Sequence, residues 1–254
     1  MKRAAAAALM LAFVFNSGVP MSSGAYAADA KSNFTPAQKE EIGKLVREYL
    51  LANPEVLTET IDAMQAKENK AKEAKQAGVI NARKGEIFNP QEATVIGNLK
   101  GDVTVVEFFD YNCGYCKSMF QTLIETIEAD KKIRLVLKEL PILGPSSVTA
   151  ARAALAARKQ GKYRDIHLAL LSHKGALNDD AVMKIAKDVG LDMKKLDADM
   201  KSGETAAIIA KNRNLADELG IEGTPALFIG DAFVPGAIQK DHLQEMIADA
   251  RKKK

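Results

Sequence analysis

Two consecutive helices are predicted from the apolar pattern between Ser32 and about Lys84. Thr35-Pro36-Ala37-Gln38 is typical of a capped helix start with proline at the first helical position. Asn53-Pro54 ends the first helix and starts the second. From Lys67 to Gln76 the second helix is polar nearly all round, which predicts a solvated helix or a helical linker. The apolar residues of the two helices recur with the spacing of one face: Ile42, Leu45, Val46, Tyr49, Leu50, Leu57, Ile61 and Met64.

From Ala93 the pattern changes to short strands. Runs rich in β-branched and aromatic residues predict strands at Thr94–Gly97, Val103–Phe109 and Ile133–Leu137. Helical spacing returns between the second and third of these strands, in Met119, Phe120, Leu123, Ile124 and Ile127. The segment therefore contains a strand, helix, strand unit.

A long helical insert follows the third strand. Ser146 is predicted to cap its first helix after Gly144-Pro145, and residues 147 to about 219 show only helical patterns. Ala226 to Val234 then predicts a hairpin around Gly230-Asp231. A closing helix carries Leu243, Met246 and Ile247 on one face. The order of strands, helix, strand, helical insert, hairpin and helix is typical of the α/β class.

The amino terminus has the three-part pattern of a cleaved secretory signal. Met1-Lys2-Arg3 precedes an apolar run from Ala4 to Phe15, and small residues lead to Ala25-Tyr26-Ala27. We expect cleavage to remove residues 1–27, although Ala28-Asp29-Ala30 offers a second site. Because the apolar run is shorter than the roughly 20 residues of a membrane span, the mature protein is predicted to be soluble and exported. An uncleaved anchor is the alternative interpretation.

Charge gives no indication of nucleic-acid binding. The chain has 36 Lys and Arg against 33 Asp and Glu, and loss of the signal brings the two totals closer. The basic tail Arg251–Lys254 is interpreted as a solvated helix end. The remaining chain is long enough for one core of ordinary size and one appendage.

Cysteine usage indicates redox chemistry. An exported chain with structural disulfides usually has several cysteines, whereas this chain has two, Cys113 and Cys116, separated by Gly114-Tyr115. A bridge that closes so small a loop stabilises the fold little. We therefore interpret it as a bond that is made and broken.

A metal site is the first alternative for the cysteine pair. Zinc normally needs a second pair of ligands, and the three histidines, His167, His173 and His242, are scattered through helical or helix-initial positions without the usual zinc-ligand spacing. They are interpreted as surface or packing residues, and neither a metal nor a cofactor is predicted.

The position of the pair assigns the two sulfurs different roles. A strand that ends at Phe109 leads into a helix, whose amino terminus presents unpaired N–H groups and the positive end of the peptide dipoles. The pKa of Cys113 is therefore predicted to fall below the free value of about 8.5. Cys116, one turn further in, is predicted to be more buried. Cys113 then attacks the substrate sulfur, and Cys116 resolves the mixed disulfide.

Two motifs resemble the DsbA-like branch of the thioredoxin superfamily. They are Glu107-Phe108-Phe109-Asp110-Tyr111-Asn112-Cys113-Gly114-Tyr115-Cys116 and Gly223-Thr224-Pro225-Ala226, and the resemblance extends from about Ala93 to the carboxyl terminus. It implies a thioredoxin-like fold with a helical insertion at about 146–219, preceded by an N-terminal helical extension. It also implies a cis Thr224–Pro225 peptide beside the cysteines, where backbone groups bind an extended substrate strand. An ordinary proline at a strand start is the alternative.

The resemblance assigns further residues to the site. Glu107 matches the acidic residue beneath the active site of the family, which makes it a candidate proton acceptor for Cys116 through water. The alternative is a side chain that faces solvent at the strand end. Gly114 and Tyr115 are predicted to belong to the rim where substrate binds, whereas Phe108, Phe109 and Tyr111 are interpreted as core or groove wall.

The Gly114-Tyr115 dipeptide directs the functional hypothesis. It departs from the Pro-His of strongly oxidising DsbA proteins, so we expect a less oxidising couple. Gly-Tyr is similar to disulfide isomerases of the DsbC type, whose amino-terminal domain is not helical. A helical extension before a C-G-Y-C domain resembles the ScsC group (suppressor of copper sensitivity), some of which oligomerise through it.

The predicted organisation has three parts: a signal peptide at 1–27, a helical extension at 28–86 and a DsbA-like thioredoxin domain at 87–254. The apolar stripe of the extension is the candidate contact surface of a homo-oligomer, which would raise the effective concentration of catalytic sites. Packing of the stripe on its own domain is the alternative. The Lys67 to Gln76 helix is then either a spacer or a surface cover.

The leading hypothesis is a periplasmic disulfide isomerase or reductase. It acts on cysteine-containing exported proteins and is kept reduced by a membrane partner. A DsbA-like oxidase and a copper-binding module in metal tolerance are the two alternatives.

Overall fold

The computed structural model describes residues 33–90 and 94–253, so the predicted signal peptide at 1–27 lies outside the described residues. The helices are α1 (Pro36–Ala52), α2 (Glu55–Ala82), α3 (Lys84–Phe88), α4 (Gly114–Asp130), α5 (Pro145–Ala157), α6 (Tyr163–Ser172), α7 (Asp179–Asp188), α8 (Met193–Met200), α9 (Gly203–Leu219) and α10 (Lys240–Lys252). The strands are β1 (Thr94–Gly97), β2 (Val103–Phe109), β3 (Ile133–Glu139), β4 (Ala226–Ile229) and β5 (Ala232–Pro235).

Local signals placed most of these elements correctly. The predicted bounds of β1 and β2 are confirmed to the residue. The predicted cap of α1 forms a capping box, in which the Thr35 N–H donates to Gln38 Oε1 at 2.8 Å and the Gln38 N–H donates to Thr35 Oγ1 at 3.3 Å. Thr35 and Gln38 thus satisfy N–H groups that a helix start leaves without partners.

Two predictions differ from the structure. Gly144, not Ser146, is the N-cap of α5, because Pro145 takes the first helical position, where its missing N–H costs no hydrogen bond. Gly144 has a φ of 130°, which suits glycine. Strand β3 runs to Glu139, two residues beyond the prediction, because its pairing with β2 continues to the end of both strands.

The five strands form one mixed sheet in the order β1-β3-β2-β4-β5. Strands β2 and β3 are parallel, and the other neighbouring pairs are antiparallel. Side chains alternate across β2: Val105 and Phe109 join a buried cluster with α4, whereas Val106 and Phe108 join a second cluster with α9. Helices therefore cover both faces, and the thioredoxin-like α/β fold with a helical insertion is confirmed.

The described chain divides into two compact units inside α2, after Met64. In the first unit the apolar stripe is exposed, with 41–59% of each side chain accessible in Ile42, Leu45, Tyr49, Leu57, Ile61 and Met64. The predicted domain boundary after residue 86 stays a prediction.

The described residues, 33–90 and 94–253, contain no helix that is both long enough and apolar enough to cross a membrane.

The second unit begins with the carboxyl-terminal part of α2. Val79 and Ile80 pack against a buried cluster that includes Phe88, Leu219 and Phe228. The short helix α3 spans the predicted boundary after residue 86, and its buried residues Ile87 and Phe88 lie on the side of the predicted thioredoxin domain. Within the predicted extension, Val79 and Ile80 therefore pack against the core of the second unit.

Candidate active site

Cys113 and Cys116 lie at the turn between the carboxyl end of β2 and the amino end of α4. The Cys113 side chain caps α4, because its sulfur accepts the backbone N–H of Cys116 at 3.5 Å. Both cysteines are free thiols. Cys116 exposes 0% of its surface and Cys113 exposes 5%, so the predicted difference in burial is confirmed.

The two thiols differ strongly in acidity. The pKa of Cys113 is lowered to about 5, chiefly because the Cys116 thiol donates a hydrogen bond to the Cys113 thiolate. Burial opposes this shift, whereas backbone N–H groups of Cys116 and Tyr115 add to it. The same sulfur contact, together with burial and the charge of Glu107, raises the pKa of Cys116. The predicted direction at Cys113 is confirmed, but the neighbouring thiol contributes more than the helix terminus.

The residues before β4 form the second side of the site. Strand β4 runs antiparallel to β2 and pairs Ala226 with Phe108, which brings the preceding loop next to the cysteine turn. The Thr224–Pro225 peptide is cis. The Cys113 sulfur lies 3.1 Å from the Thr224 carbonyl oxygen and donates a hydrogen bond to it when the thiol is protonated. Both features that the resemblance implies, the cis peptide and its place beside the cysteines, are confirmed.

Gly114 and Tyr115 form the outer rim of the turn. Gly114 is the first residue of α4, and a Cβ atom built there meets no described atom within 4 Å beyond its own chain neighbours and helix backbone. Tyr115 exposes 72% of its surface. A protein bound at Cys113 can therefore reach both residues, and their role in substrate binding stays a prediction.

Glu107 is buried beneath the cysteine turn. It exposes 2% of its surface, so the alternative of a solvent-facing side chain is wrong. Strand alternation places it on the face that Val105 and Phe109 share with Cys116. Burial raises its pKa to about 8, with a smaller contribution from the charge of Cys113. Its role as a proton acceptor stays a prediction.

Asp110 fixes the start of the turn, a role that sequence reasoning missed. One carboxylate oxygen accepts the backbone N–H groups of Ile142 and Leu143 at 2.8 and 3.0 Å. The other accepts the N–H of Asn112 at 2.8 Å, and the Asp110 carbonyl oxygen accepts the N–H of Cys113 at 3.0 Å. A polar residue between a strand end and a helix start is the signal that indicates such turn-forming contacts.

Asn112 joins the turn to two segments of the helical insert. Its Nδ2 donates to Ser146 Oγ at 3.1 Å, to Ser147 Oγ at 3.3 Å and to the Leu177 carbonyl oxygen at 3.2 Å. Its Oδ1 accepts the Leu177 N–H at 2.8 Å. Because Asn112 directly precedes Cys113, the insert holds the backbone that carries the Cys113 sulfur.

His167 supports the turn from inside the helical insert. Its ring lies edge-on to Phe109 and Phe120 and is stacked on Tyr163. Burial lowers its pKa to about 3, so the ring is neutral, and its Nδ1 shares a hydrogen bond of 3.0 Å with the Tyr111 hydroxyl. The interpretation of His167 as a packing residue is confirmed, and Tyr111 is likewise part of the core. Across residues 33–90 and 94–253, His, Cys, Asp and Glu side chains form no group of three suited to a metal ion.

Family models match both parts of the chain. Residues 104–248, more than half of the chain, match the DsbA-like thioredoxin domain. Residues 38–71 match the model described as the copper resistance protein ScsC N-terminal domain.

Solved structures agree with these matches. A thioredoxin-like oxidoreductase from Silicibacter pomeroyi DSS-3 is 48% identical, with a TM-score of 0.65 over 66% of this chain and 97% of that one. A linker-deletion mutant of Proteus mirabilis ScsC is 28% identical, with a TM-score of 0.69 over 89% of this chain and 100% of that one.

The curated relatives are much longer proteins. The Na(+)/H(+) antiporter NhaA 1 of Salinispora arenicola (strain CNS-205) is 29% identical over 164 residues, which are 64% of this chain and 25% of the antiporter. The chain thus spans about a quarter of the length of the antiporters that it matches.

Proposed function

Because the chain belongs to the DsbA-like thioredoxin domain family and has an ScsC N-terminal domain ahead of it, we propose that it is a protein-disulfide isomerase or reductase. Its proposed substrates are cysteine-containing exported proteins. The observation that carries the proposal is the acidic Cys113 thiol at the start of α4, beside the protonated Cys116 thiol and the Thr224 carbonyl oxygen.

The proposed reaction has two exchange steps. The Cys113 thiolate attacks one sulfur of a substrate disulfide, forms a mixed disulfide and releases the other substrate sulfur as a thiolate. The Cys116 thiol then loses its proton and attacks the Cys113 sulfur, which releases the second substrate sulfur. The substrate disulfide is reduced to two thiols, and Cys113 and Cys116 are oxidised to a disulfide. In isomerisation a second thiolate of the substrate instead attacks the substrate sulfur of the mixed disulfide. A new substrate disulfide forms, and Cys113 is released as a thiolate, so the enzyme is not oxidised.

Glu107 is proposed to accept the proton of Cys116. Its burial on the Cys116 face and its pKa of about 8 suit a group that exchanges a proton near neutral pH. The Cys116 proton must leave before attack, because the thiolate is the nucleophile. We propose that water relays this proton between Cys116 and Glu107.

Substrate is proposed to bind along Thr224 and Pro225. Pro225 has no N–H, and an extended chain that pairs with exposed backbone groups gains main-chain hydrogen bonds without sequence specificity. Gly114 and Tyr115 form the opposite rim. The position of the Thr224 carbonyl oxygen, 3.1 Å from the Cys113 sulfur, supports this arrangement.

The direct test combines two assays. The chain is expected to reduce insulin and to refold scrambled ribonuclease, and Cys113→Ser is expected to abolish both activities. Cys116→Ser is expected to accumulate mixed disulfides with substrate, which mass spectrometry detects. Full activity of Cys113→Ser would contradict the proposal.

Self-association through the apolar stripe is the second part of the proposal. The exposed side chains of the first unit support it, since a contiguous exposed apolar surface is typical of an interaction site. The solution mass is expected to be a multiple of the chain mass, and a chain without residues 28–64 is expected to be a monomer with reduced ribonuclease refolding. A monomeric full chain would instead favour packing of the stripe on its own domain.

The proposed location is the periplasm, with a membrane partner that keeps Cys113 and Cys116 reduced. The signal pattern at 1–27 supports export. Cell fractionation and the amino-terminal sequence of the mature protein test this part.

A disulfide oxidase is the second candidate function. The pKa of about 5 at Cys113 favours it, because a stabilised thiolate stabilises the reduced enzyme and makes its disulfide a stronger oxidant. The reduction potential, measured by equilibration with glutathione, separates the candidates. A potential near the about −120 mV of strong oxidants, with no activity on scrambled ribonuclease, would support the oxidase.

A further inference from the structure

A groove of about 510 Å³ lies beside Pro225 within the second compact unit. One part of its lining consists of Tyr115 and the motif Gly223–Ala226, together with Phe233 and Pro235 of β5. Helix α2 contributes another part of the lining, with Asn69, Lys72, Glu73 and Gln76. A helix whose sequence predicts a solvated linker therefore lines the groove next to the reactive sulfur.

Polar contacts join this part of α2 to the end of α9 and to the segment that follows it. Lys72 Nζ pairs with Glu222 Oε1 at 2.8 Å, and Gln76 Nε2 donates to the Leu219 carbonyl oxygen at 2.7 Å. Leu219 is the last residue of α9, and Glu222 lies in the segment between α9 and β4 that leads to Pro225. One turn beyond Gln76, Val79 packs against the buried cluster that contains Leu219. These contacts connect the α2 residues of the groove to the loop that contains Pro225.

We propose that Asn69, Lys72, Glu73 and Gln76 of α2 form a specificity-determining surface for the substrate polypeptide. This inference rests on the proposed function. The occupant is an extended, unfolded segment that carries the reacting cysteine, because the groove is continuous with Thr224, whose carbonyl oxygen contacts Cys113. A single extended strand can lie along the groove and present alternate side chains to its lining residues.

The charges of the groove predict which segments bind best. Its charged lining residues are Lys72, Glu73 and Glu222, and Lys72 is paired with Glu222. One negative charge, at Glu73, remains in excess. A substrate segment with a basic residue close to its cysteine is therefore preferred over an acidic one. Since these groups are solvent-exposed, the preference in kcat/KM is about two- to fivefold.

The test compares two unstructured disulfide peptides that differ only in a Lys or a Glu near the cysteine. The full chain is expected to favour the Lys peptide, and Glu73→Lys is expected to invert the ratio of the two kcat/KM values. Glu68→Lys is the matched control, because it makes the same charge change on an exposed part of α2 outside the groove. It is expected to keep the ratio of the unaltered chain.

The ratio of the two kcat/KM values reports only the charge preference of the groove, because any general loss of activity in a variant affects both peptides equally. An unchanged ratio in Glu73→Lys, or an equal shift in Glu68→Lys, would overturn the inference while leaving thiol exchange intact. Failure of the unaltered chain to exchange with either peptide and with a small uncharged disulfide would overturn the proposed function, and the inference with it.

Discussion

The Cys113 thiolate is expected to make the stability of the reduced protein increase with pH. Its pKa is about 5 in the folded chain, whereas an unfolded thiol titrates near about 8.5. Between these values the unfolded state binds more protons, so the free energy of unfolding rises with pH. This stabilisation is complete above the unfolded pKa and is lost as the pH falls through about 5.

The magnitude follows from the distance between the pH and the folded pKa. At pH 7, two units above that pKa, the thiolate contributes about 2.7 kcal/mol, because each unit corresponds to about 1.36 kcal/mol. Glu107 and Glu139 act in the opposite direction, since burial raises their pKa values to about 8 and about 7. The pH dependence of the unaltered chain alone is therefore not diagnostic.

Cys113→Ser supplies the necessary reference, because it keeps both buried carboxyl groups and lacks the thiolate. Urea unfolding is measured by circular dichroism for both proteins at pH 5, 6 and 7 with a phosphine reductant. At pH 5 the half-ionised thiol already contributes about 0.4 kcal/mol, so the difference in unfolding free energy is expected to grow by about 2.3 kcal/mol over this range. Part of the Glu107 shift comes from the Cys113 charge, which makes this value an upper bound. The reasoning would be refuted if the free energy of unfolding changed with pH in the same way in both proteins and if the unaltered chain showed no thiolate absorbance at 240 nm below pH 7.

Three further predictions follow from buried contacts. Asn112→Ala is expected to lower the free energy of unfolding by about 1–3 kcal/mol, because it leaves the Leu177 backbone groups without partners, and urea titration measures this loss. Glu107→Gln is expected to slow resolution of the mixed disulfide by about 10²-fold. It is also expected to remove the rise in rate that ionisation of Glu107 near pH 8 produces. Quenched-flow mass spectrometry follows this step, and an unchanged pH profile would exclude Glu107 as the proton acceptor. Phe228→Ala is expected to cost about 3–5 kcal/mol in the same titration, because the ring is fully buried between aromatic neighbours, whereas the exposed Leu99→Ala serves as a control without effect.

Predictions that depend on near neighbours in the chain are confirmed. The bounds of β2, the capping box at Thr35 and the difference in burial between Cys113 and Cys116 each depend on signals within a few residues. A run of β-branched and aromatic residues favours extended backbone, and a cap satisfies N–H groups two or three positions away. The family motif around Pro225 added the cis peptide, which composition and spacing left open.

Predictions that depend on competition between signals are less accurate. Ser146 has the residue type of a cap, but Pro145 begins the helix before it, and Gly144 supplies the backbone conformation. The polar segment Lys67–Gln76 predicts solvation, and its residues are mostly exposed. Four of its polar side chains nevertheless line the Pro225 groove: Asn69, Lys72, Glu73 and Gln76.

The amino-acid order along the chain was sufficient to single out the cysteine pair, to predict that Cys116 is the more buried sulfur and to place most strands and helices. Contacts between distant segments supplied the remainder. Asn112 reaches Leu177, 65 positions away, and Gln76 reaches Leu219, 143 positions away. Glu107 acquires its high pKa from the burial that the packed core imposes. Periodicity reports which side of a helix or strand is apolar, but the partner that covers that side is chosen by packing of the whole chain.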